Sequence, residues 1–303
     1  MTDSIILKPA SFFTSQVVDK FYPKPGTPPG DTFRLGKLRH MRFEPGMLSI
    51  FTGISGHGKS LLLGQLVLDV ISKGGKVVIA SFEMAAWRTL QRMVRQCIGA
   101  ECPDKWLIEQ CLEWIGKRVL IYDRMGTADK EELFATFHRA AKEQAYTHFI
   151  VDSLMKCGIG EEDWTEQKAF VDRMQNFAQA DNVHVHLVAH ARKGVNEDAA
   201  PGKMDVKGSG GITDLADNVF SVWRNKRKES ALNAFHNTGA LPSKVDSIDD
   251  LITWPDALLE CVKHREQGGD AEKQYWLYFD PASLQYMERQ GQKPHYYFEG
   301  KRP

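Results

Sequence analysis

The segment from Gly53 to Ser60 has the residue types and the spacing of a phosphate-binding loop. It reads Gly-Ile-Ser-Gly-His-Gly-Lys-Ser, which matches G-x-x-x-x-G-K-S, and it lies between an apolar run and a helical pattern. Glycines let the backbone N–H groups point at phosphate oxygens, at the positive end of the following helix. Lys59 would reach the β- and γ-phosphates, and the Ser60 hydroxyl would ligate Mg²⁺, which prefers oxygen donors. Binding of a nucleoside triphosphate with magnesium is therefore predicted for Gly53, Ser55, Gly56, His57, Gly58, Lys59, Ser60 and Leu61.

Two acidic residues that follow apolar segments could complete a hydrolytic site. Residues 147–153 read Thr-His-Phe-Ile-Val-Asp-Ser, so Asp152 would end a buried strand and hold magnesium through water. The apolar segment 76–81 is followed by Phe-Glu-Met, which places Glu83 at the sheet edge where ligands gather in open α/β folds. Glu83 is a candidate base for activating water. A strand-capping role for Asp152 and an ordinary surface role for Glu83 are the alternatives.

Apolar strands that alternate with longer helical segments indicate a mostly parallel sheet flanked by helices. Strands are predicted at 47–52, 76–81, 119–122, 148–151, 183–189 and 218–222. Helices are predicted, from apolar residues at three- and four-residue spacing, at 59–72, 86–98, 130–144 and 167–180. After Trp223 the pattern changes, and Val262, 276–279 and 284–287 suggest a terminal antiparallel group. The predicted fold class is α/β, a P-loop NTPase core with a C-terminal antiparallel extension.

Two segments lie outside this alternation. Residues 11–22 could form a short amphipathic helix with Phe12, Val17, Val18 and Phe21 on its apolar side, followed by a Pro- and Gly-rich linker. Such a helix cannot bury that side alone, so we expect it to dock on the domain or on a neighbouring subunit. Residues 225–256 are polar and are predicted to be irregular, either functional or disordered. The predicted organisation is an N-terminal arm and linker, 1–32, and one ATPase domain, 33–303.

The bulk composition bounds the compartment and the partners. The formal net charge of +0 means that the chain as a whole does not attract polyanions. Any contact with nucleic acid must therefore come from local Lys and Arg residues. Five cysteines without paired spacing, and no signal peptide, predict a reducing, cytoplasmic compartment. Cys97, Cys102 and Cys111 favour ordinary thiols over a zinc site, because they form no Cys-x-x-Cys pair. No apolar run approaches the ~20 residues needed to span a bilayer, so no membrane association is expected.

The order of these motifs resembles the hexameric replicative helicases of the DnaB type, most closely the helicase halves of phage primase-helicases and of Twinkle. That family has its catalytic glutamate in a Ser-x-Glu-Met segment after the second strand, which 81–84 matches, so the resemblance makes Glu83 the leading catalytic candidate. Leu-Val-Ala-His at 187–190 resembles the segment in which a His or Gln senses the γ-phosphate, which implies that role for His190. From the residues alone, the alternation of His184, His186 and His190 also fits a polar strand face. The resemblance covers 35–287 and implies a RecA-like fold.

Residues 205–217 resemble the family's Gly-Ser-Gly loop, which lines a central channel, and the helix that follows it. Glycine N–H groups and a few cations can follow a phosphate backbone without reading bases. A flexible Gly/Ser turn with solvated lysines is the alternative. The DNA-binding candidates are Lys193, Lys203, Lys207, Gly208, Ser209 and Gly210.

Val-Lys-His-Arg at 262–265 resembles the family's Lys-x-Arg element, in which the arginine reaches the γ-phosphate bound by the adjacent subunit. The resemblance thus implies catalytic roles for Lys263 and Arg265, and an oligomer. It also implies that Arg224 and Tyr275 grip the nucleotide base, although surface packing would explain either residue equally well. The segment 225–256 is longer than the family pattern predicts, and it would then mark a partner-specific surface.

The function implied is that of an ATP-dependent replicative DNA helicase, which assembles as a hexameric ring, translocates on single-stranded DNA and unwinds duplex. Its cofactors would be ATP, or dTTP or another NTP, and Mg²⁺. No primase or DnaB-type N-terminal domain is recognisable, so a separate primase, polymerase or loader is expected as a partner, in the host cytoplasm if the protein is phage-encoded. The alternatives are a recombination or regulatory ATPase of the RecA, RadA or KaiC kind and a nucleotide-switched loader or scaffold. The Gly-Ser-Gly loop and the Lys-x-Arg element favour the helicase.

Overall fold

A nine-stranded sheet runs through the larger part of the chain in this computed structural model. The structure describes residues 8–22, 32–38, 41–124, 126–160, 163–191, 210–243, 245–265 and 273–298. The chain divides into two compact units, Met1–Gly30 and Asp31–Pro303. The strands are β1 (Leu48–Gly53), β2 (Val77–Ser81), β3 (Val119–Ile121), β4 (His148–Asp152), β5 (His184–His190), β6 (Asn218–Arg224), β7 (Ala257–His264), β8 (Lys273–Asp280) and β9 (Gln285–Met287).

Helices cover the sheet and also form the described part of the first unit. They are α1 (Thr14–Phe21), α2 (Lys59–Ser72), α3 (Ala86–Ile98), α4 (Lys105–Gly116), α5 (Lys130–Gln144), α6 (Trp164–Asp181), α7 (Gly210–Leu215), α8 (Lys226–Thr238) and α9 (Ile248–Thr253). In the first unit, α1 follows a short 3₁₀ turn, Ala10–Phe13, and leaves its apolar side chains exposed. With the 3₁₀ turn before α1 and the residue after it, the exposed large apolar side chains of this unit's described part are Phe12, Phe13, Val17, Val18, Phe21 and Tyr22.

The strand order is β3-β2-β4-β5-β1-β6-β7-β8-β9. The pairs from β3 to β6 are parallel, whereas β6 to β9 pair antiparallel. The prediction of a mostly parallel sheet with a C-terminal antiparallel extension is therefore confirmed. All six predicted parallel strands occur within two residues of their predicted ends, and three predicted helices have the predicted ends.

Both faces of the parallel sheet are buried, which explains why its strands are nearly continuous apolar runs. Phe51 packs in one cluster with residues of α2, α3 and α4. Its neighbour Ile50 packs in the other cluster, with residues of α5, α6 and α7. Because successive side chains of a strand point to opposite faces, the six buried residues of β1 contribute to both layers.

The prediction that 225–256 is irregular was wrong, since the segment contains α8 and α9. Asn225 caps α8 by accepting a hydrogen bond from Lys228 N (3.2 Å), and Ser247 caps α9 by accepting one from Asp250 N (3.1 Å). Among the described side chains of α8 only Lys228 and Ala231 are buried, so the apolar periodicity was too sparse to indicate a helix. The helix α4 was also not predicted.

The sequence also raised the questions of a zinc site at the cysteines and of a membrane-spanning segment. Cys97 and Cys111 are buried and Cys102 is exposed, all as free thiols. Within the described residues, no group of three or more His, Cys, Asp or Glu side chains could hold a metal ion. None of the described helices has the length and apolar character needed to cross a bilayer.

Candidate nucleotide site

The phosphate loop joins β1 to α2, and two of its glycines are fixed by close neighbours. Gly53 has a φ of +147°, and a Cβ added there would lie 2.3 Å from Val222 O. Gly58, the N-cap of α2, has a φ of +90°, and a Cβ would lie 1.9 Å from the Tyr286 hydroxyl oxygen. Since a Cβ would collide with the backbone of β6 at Gly53 and with the Tyr286 side chain of β9 at Gly58, both positions require glycine.

Parallel pairing brings the predicted site residues to one edge of the sheet. Gly53 pairs with His190 across β1 and β5, and Ser81 pairs with Asp152 across β2 and β4. Glu83 follows Ser81 by two residues. The carboxyl ends of four strands therefore meet at the loop, as expected for ligand sites in open α/β sheets.

Lys59 lies across the phosphate loop. Its Nζ donates to Gly53 O (2.8 Å) and to Ile54 O (3.0 Å), and the residue is only 5% exposed. Burial lowers the pKa of Lys59 to about 8, although Asp152 and Glu83 nearby favour its charged form. The ammonium group is thus held over the backbone that would surround a phosphate.

Ser60 and Asp152 form a compact pair of oxygen donors. Ser60 Oγ donates to Asp152 Oδ2 at 2.5 Å. Burial raises the pKa of Asp152, whereas the hydrogen bond from Ser60 favours the carboxylate. A hydroxyl and a carboxylate beside a triphosphate site are the hard oxygen ligands that Mg²⁺ prefers, so these residues fit the predicted ion.

Glu83 is fixed through one of its two carboxylate oxygens. Oε1 accepts a hydrogen bond from Ser153 Oγ (2.7 Å) and lies 3.1 Å from His190 Nε2. The hydrogen bond with His190, opposed by burial and reinforced by Ser153, lowers the pKa of Glu83 to about 2. Glu83 is therefore ionised at neutral pH, as a base must be. The sequence analysis did not identify Ser153, although it directly follows the predicted strand-end acid.

These residues surround a cavity of about 300 Å³. Its lining is Ser55, Gly56, Gly58, Lys59, Ser60, Leu61, Glu83, Arg92, Asp152, His190 and Arg224. The predicted loop residues, Glu83, Asp152, His190 and Arg224 are thus brought together, with the exceptions of Gly53 and His57. The structure adds Arg92, which the sequence analysis missed.

Arg92 differs from the two other arginines of α3. The Arg88 guanidinium lies over the Trp87 ring, 5.1 Å from its centroid, and Arg95 donates to Pro281 O (2.6 Å) and to Ala282 O. Within the described part of the chain, Arg92 has neither a hydrogen bond nor an ion pair, and it is exposed to the phosphate cavity. An uncompensated cation in this position suits an anionic ligand.

His57 supports the loop from behind. Its imidazole is 1% exposed, and Nδ1 accepts a hydrogen bond from Arg224 N at 3.2 Å. The side chain is absent from the described lining of the cavity. The imidazole of His57 therefore supports the loop and does not line the phosphate cavity.

A second cavity, of about 320 Å³, adjoins the phosphate loop and could hold a nucleotide base. Its lining is Gly56, Gly58, Leu61, Arg224, Glu229, Asp256, Ala257, Phe279, Pro281 and Tyr286. Tyr275 was predicted to grip the base, but it is 7% exposed in the core and pairs with Leu259, two residues beyond Ala257. Among the described residues that line this cavity, the aromatic ones are Phe279 and Tyr286 and do not include Tyr275.

Lys263 and Arg265 lie away from this chain's own phosphate loop. Lys263 Nζ donates to three backbone carbonyls at the end of α7, those of Thr213 (2.8 Å), Asp214 (3.0 Å) and Ala216 (2.6 Å). Arg265, with a half-exposed side chain, donates from Nη1 to Asp217 Oδ1 at 2.8 Å. Neither residue lines the two cavities of the nucleotide site.

Five of the DNA-binding candidates lie outside the described residues. They are Lys193, Lys203, Lys207, Gly208 and Ser209. Gly210 is the first residue of α7.

The fold and site define a class: a P-loop NTPase with a RecA-like core. The family model described as AAA domain matches residues 35–196, and the chain belongs to this family. The fold resembles a solved structure described as an ATPase domain, with a TM-score of 0.72 and 13% identity, covering 93% of this chain and 99% of that chain. It also resembles a DnaB-like replicative helicase solved in a study of its interactions with primase, with a TM-score of 0.71 and 13% identity, covering 92% of this chain and 68% of that chain.

Proposed function

We propose that this protein is an ATP-dependent, ring-forming replicative DNA helicase. The observation that carries the proposal is the position of Arg265. The residues proposed to hold the phosphates, magnesium and the nucleotide base line two adjoining cavities of one chain, whereas Arg265 lines neither cavity. Such a site is completed by the arginine of a neighbouring copy.

Arg265 and the phosphate loop lie at opposite ends of strand β1. Asp217, which binds Arg265, also accepts a hydrogen bond through Oδ2 from Leu48 N (2.9 Å), at the amino end of β1. The phosphate loop begins at Gly53, at the carboxyl end of that strand. Five residue steps of about 3.3 Å give roughly 17 Å between the two ends. This distance exceeds the reach of an arginine side chain. It supports the proposal that Arg265 is an arginine finger, meaning an arginine that reaches the γ-phosphate bound by the adjacent subunit.

Within one subunit, the site residues have separable roles. Lys59 and the loop N–H groups would bind the triphosphate, while Ser60 and Asp152 would hold Mg²⁺. Magnesium would neutralise phosphate charge when bound. Glu83, ionised and fixed by Ser153, would take a proton from the attacking water.

His190 would couple the state of the bound nucleotide to Glu83, the proposed general base. In the structure it shares Glu83 Oε1 with Ser153. An imidazole that turns towards a γ-phosphate must leave Glu83, and this frees the carboxylate oxygen for water. We therefore assign His190 to sensing and Glu83 to proton transfer.

Assembly, DNA binding and partners complete the proposal. The subunits would form a hexamer around single-stranded DNA, which Lys193, Lys203, Lys207 and the 208–210 segment would contact. The hydrolysed nucleotide would be ATP, or dTTP or another NTP. One structural neighbour was solved in a study of its interactions with primase. We propose that this chain likewise works with a separate primase, polymerase or loader in the cytoplasm.

The deciding experiment is steady-state ATP hydrolysis across protein concentration, with and without circular single-stranded DNA. Wild type is compared with Arg265→Ala, and with Arg289→Ala as a control that removes an exposed arginine elsewhere. We expect activity that rises with concentration, is stimulated by DNA and is lost only in Arg265→Ala, while nucleotide binding remains. Hydrolysis that is independent of concentration and DNA would reject the helicase and favour a nucleotide-switched loader.

A further inference from the structure

Helix α8 begins directly at the nucleotide site. Arg224 ends β6, Asn225 caps α8, and Glu229 lies in the first turn of the helix. The Arg224 Nε donates to Glu229 Oε1, and Lys226 Nζ lies 3.3 Å from Glu229 Oε2. Glu229 and Arg224 both line the base cavity.

Arg224 connects this helix with the phosphate loop. It lines both the phosphate cavity and the base cavity. Its backbone N–H donates to the buried imidazole of His57, within the loop. A change in the position of Arg224 therefore affects the base cavity through the side chain and the loop through the backbone.

A buried lysine fixes α8 at a second point. Lys228 Nζ donates to Ile252 O (3.0 Å) and Trp254 O (2.6 Å), and it pairs with Asp256 Oδ1 at 2.7 Å. Asp256 lines the base cavity and accepts a hydrogen bond from Phe279 N (2.9 Å) through Oδ2. Both Glu229 and Lys228 therefore connect α8 to residues that line this cavity, Arg224 and Asp256.

We propose that Glu229 is a positioning residue, which holds the Arg224 guanidinium at the base cavity, so that α8 is a nucleotide-binding element. The inference rests on the proposed function, since it requires a nucleoside phosphate in the site. A free arginine side chain loses up to about 2 kcal/mol of conformational entropy on ordering, and a preformed ion pair removes part of that cost from binding. The planar guanidinium can then stack on a base that Phe279, Pro281 and Tyr286 enclose from other sides.

The test compares ADP with inorganic tripolyphosphate, which has no base, by calorimetry on the full-length protein. Glu229→Gln should weaken ADP binding about threefold to fivefold, as an exposed ion pair allows, and leave tripolyphosphate binding unchanged. Arg224→Ala should also weaken ADP binding, and adding Glu229→Gln to it should cause little further loss, because no guanidinium then remains to be positioned. Arg227→Ala, an exposed position on the same helix, serves as the matched control and should change neither affinity.

Three results would overturn the inference. Unchanged ADP affinity in Glu229→Gln would show that the ion pair does not act on the base. An equal loss for ADP and tripolyphosphate would show a general effect on the fold or the phosphate loop. If wild type bound neither compound, the proposed function itself would fail and the inference with it, which distinguishes the two failures.

Discussion

Arg265 Nη1 donates to Asp217 Oδ1 at 2.8 Å, and Asp217 Oδ2 accepts from Leu48 N at 2.9 Å. One buried carboxylate therefore attaches the proposed finger to the first residue of β1, the strand whose other end begins the phosphate loop. This arrangement separates the finger from its own nucleotide and leaves the guanidinium half-exposed, as a residue that acts on a neighbour requires.

A mixing experiment should show that the finger acts between subunits. Lys59→Ala removes the lysine that would bind the triphosphate, and Arg265→Ala removes the arginine that would act on the neighbouring subunit's nucleotide. Each variant alone should therefore be inactive. In mixed assemblies, an intact loop of one variant meets the intact finger of the other. We expect basal hydrolysis at up to roughly a quarter of the wild-type rate, since one pairing in four is productive in a closed ring. No recovery despite demonstrated subunit exchange would contradict the prediction.

Arg92 should contribute to triphosphate binding. Arg92→Ala removes from the phosphate cavity a cation that has no ion pair among the described residues. A charge-assisted contact of about 1.5–3 kcal/mol corresponds to a KM for ATP raised at least tenfold. Arg88→Ala is the matched control, because it removes the same charge from the same helix but only a contact with Trp87. Equal KM values in the two variants would refute the role of Arg92.

Ser153 should position Glu83, the proposed general base. Ser153→Ala removes the hydroxyl that donates to Glu83, so the pKa of Glu83 should rise from about 2 towards its ordinary value. Because the base acts in its ionised form, the acid limb of the kcat/KM profile should move to higher pH, and kcat should fall severalfold. Ser81→Ala is the control, since this buried hydroxyl has no hydrogen-bond partner among the described residues. An unshifted acid limb would exclude the positioning role.

The sequence predicted the parts of this site that depend on local pattern and strand polarity. Gly53–Ser60, Glu83 and Asp152 each follow an apolar strand, and parallel strands necessarily place their carboxyl ends together. Their placement could therefore be inferred before any contact was known.

Other parts depend on side-chain direction and on register between strands distant in sequence. Tyr275 and Tyr286 look equivalent as sequence and both are buried, but the β7–β8 register places the first opposite Leu259, away from the base cavity, whereas β9 brings the second to Gly58. Arg92 is one of three similar arginines, and only the packing of α3 on α2 distinguishes it. Helix α8 was missed because its stability comes from caps and from buried Lys228, rather than from an apolar stripe.

Removing the N-terminal arm should weaken assembly. The exposed apolar side chains of α1 include Val17, Val18 and Phe21, and a helix of this kind gains stability by docking on another surface. Deletion of the residues before Phe33 should shift the oligomer distribution towards smaller species in mass photometry. Circular dichroism should show that the remaining domain stays folded. An unchanged distribution would rule out the arm as a subunit contact.

Buried histidines should make the fold sensitive to acid. Burial lowers the pKa of His184 to about 3, and burial also lowers the pKa of His186 well below its ordinary value. Below a pH of about 6.5 the unfolded chain binds protons that the folded chain does not, so stability should fall as the pH decreases. Each histidine contributes a slope of about 1.4 kcal/mol per pH unit in that range. Urea unfolding at pH 4 to 7.5 should show a stability that is nearly constant above pH 7 and approaches this slope below about pH 5.5, and His186→Leu should reduce the slope; an equal slope in the variant would contradict the assignment.

Strand β7 starts at Ala257, in the wall of the base cavity, and ends one residue before Arg265. In the proposed assembly, each subunit therefore touches its own nucleotide with one end of a strand and its neighbour's nucleotide with the other. Contacts of this head-to-tail kind give a ring a direction, because each subunit would offer its arginine to one neighbour and receive an arginine from the other. A ring that opens to admit a DNA strand must then contain one site without a finger, and closure around the strand restores it.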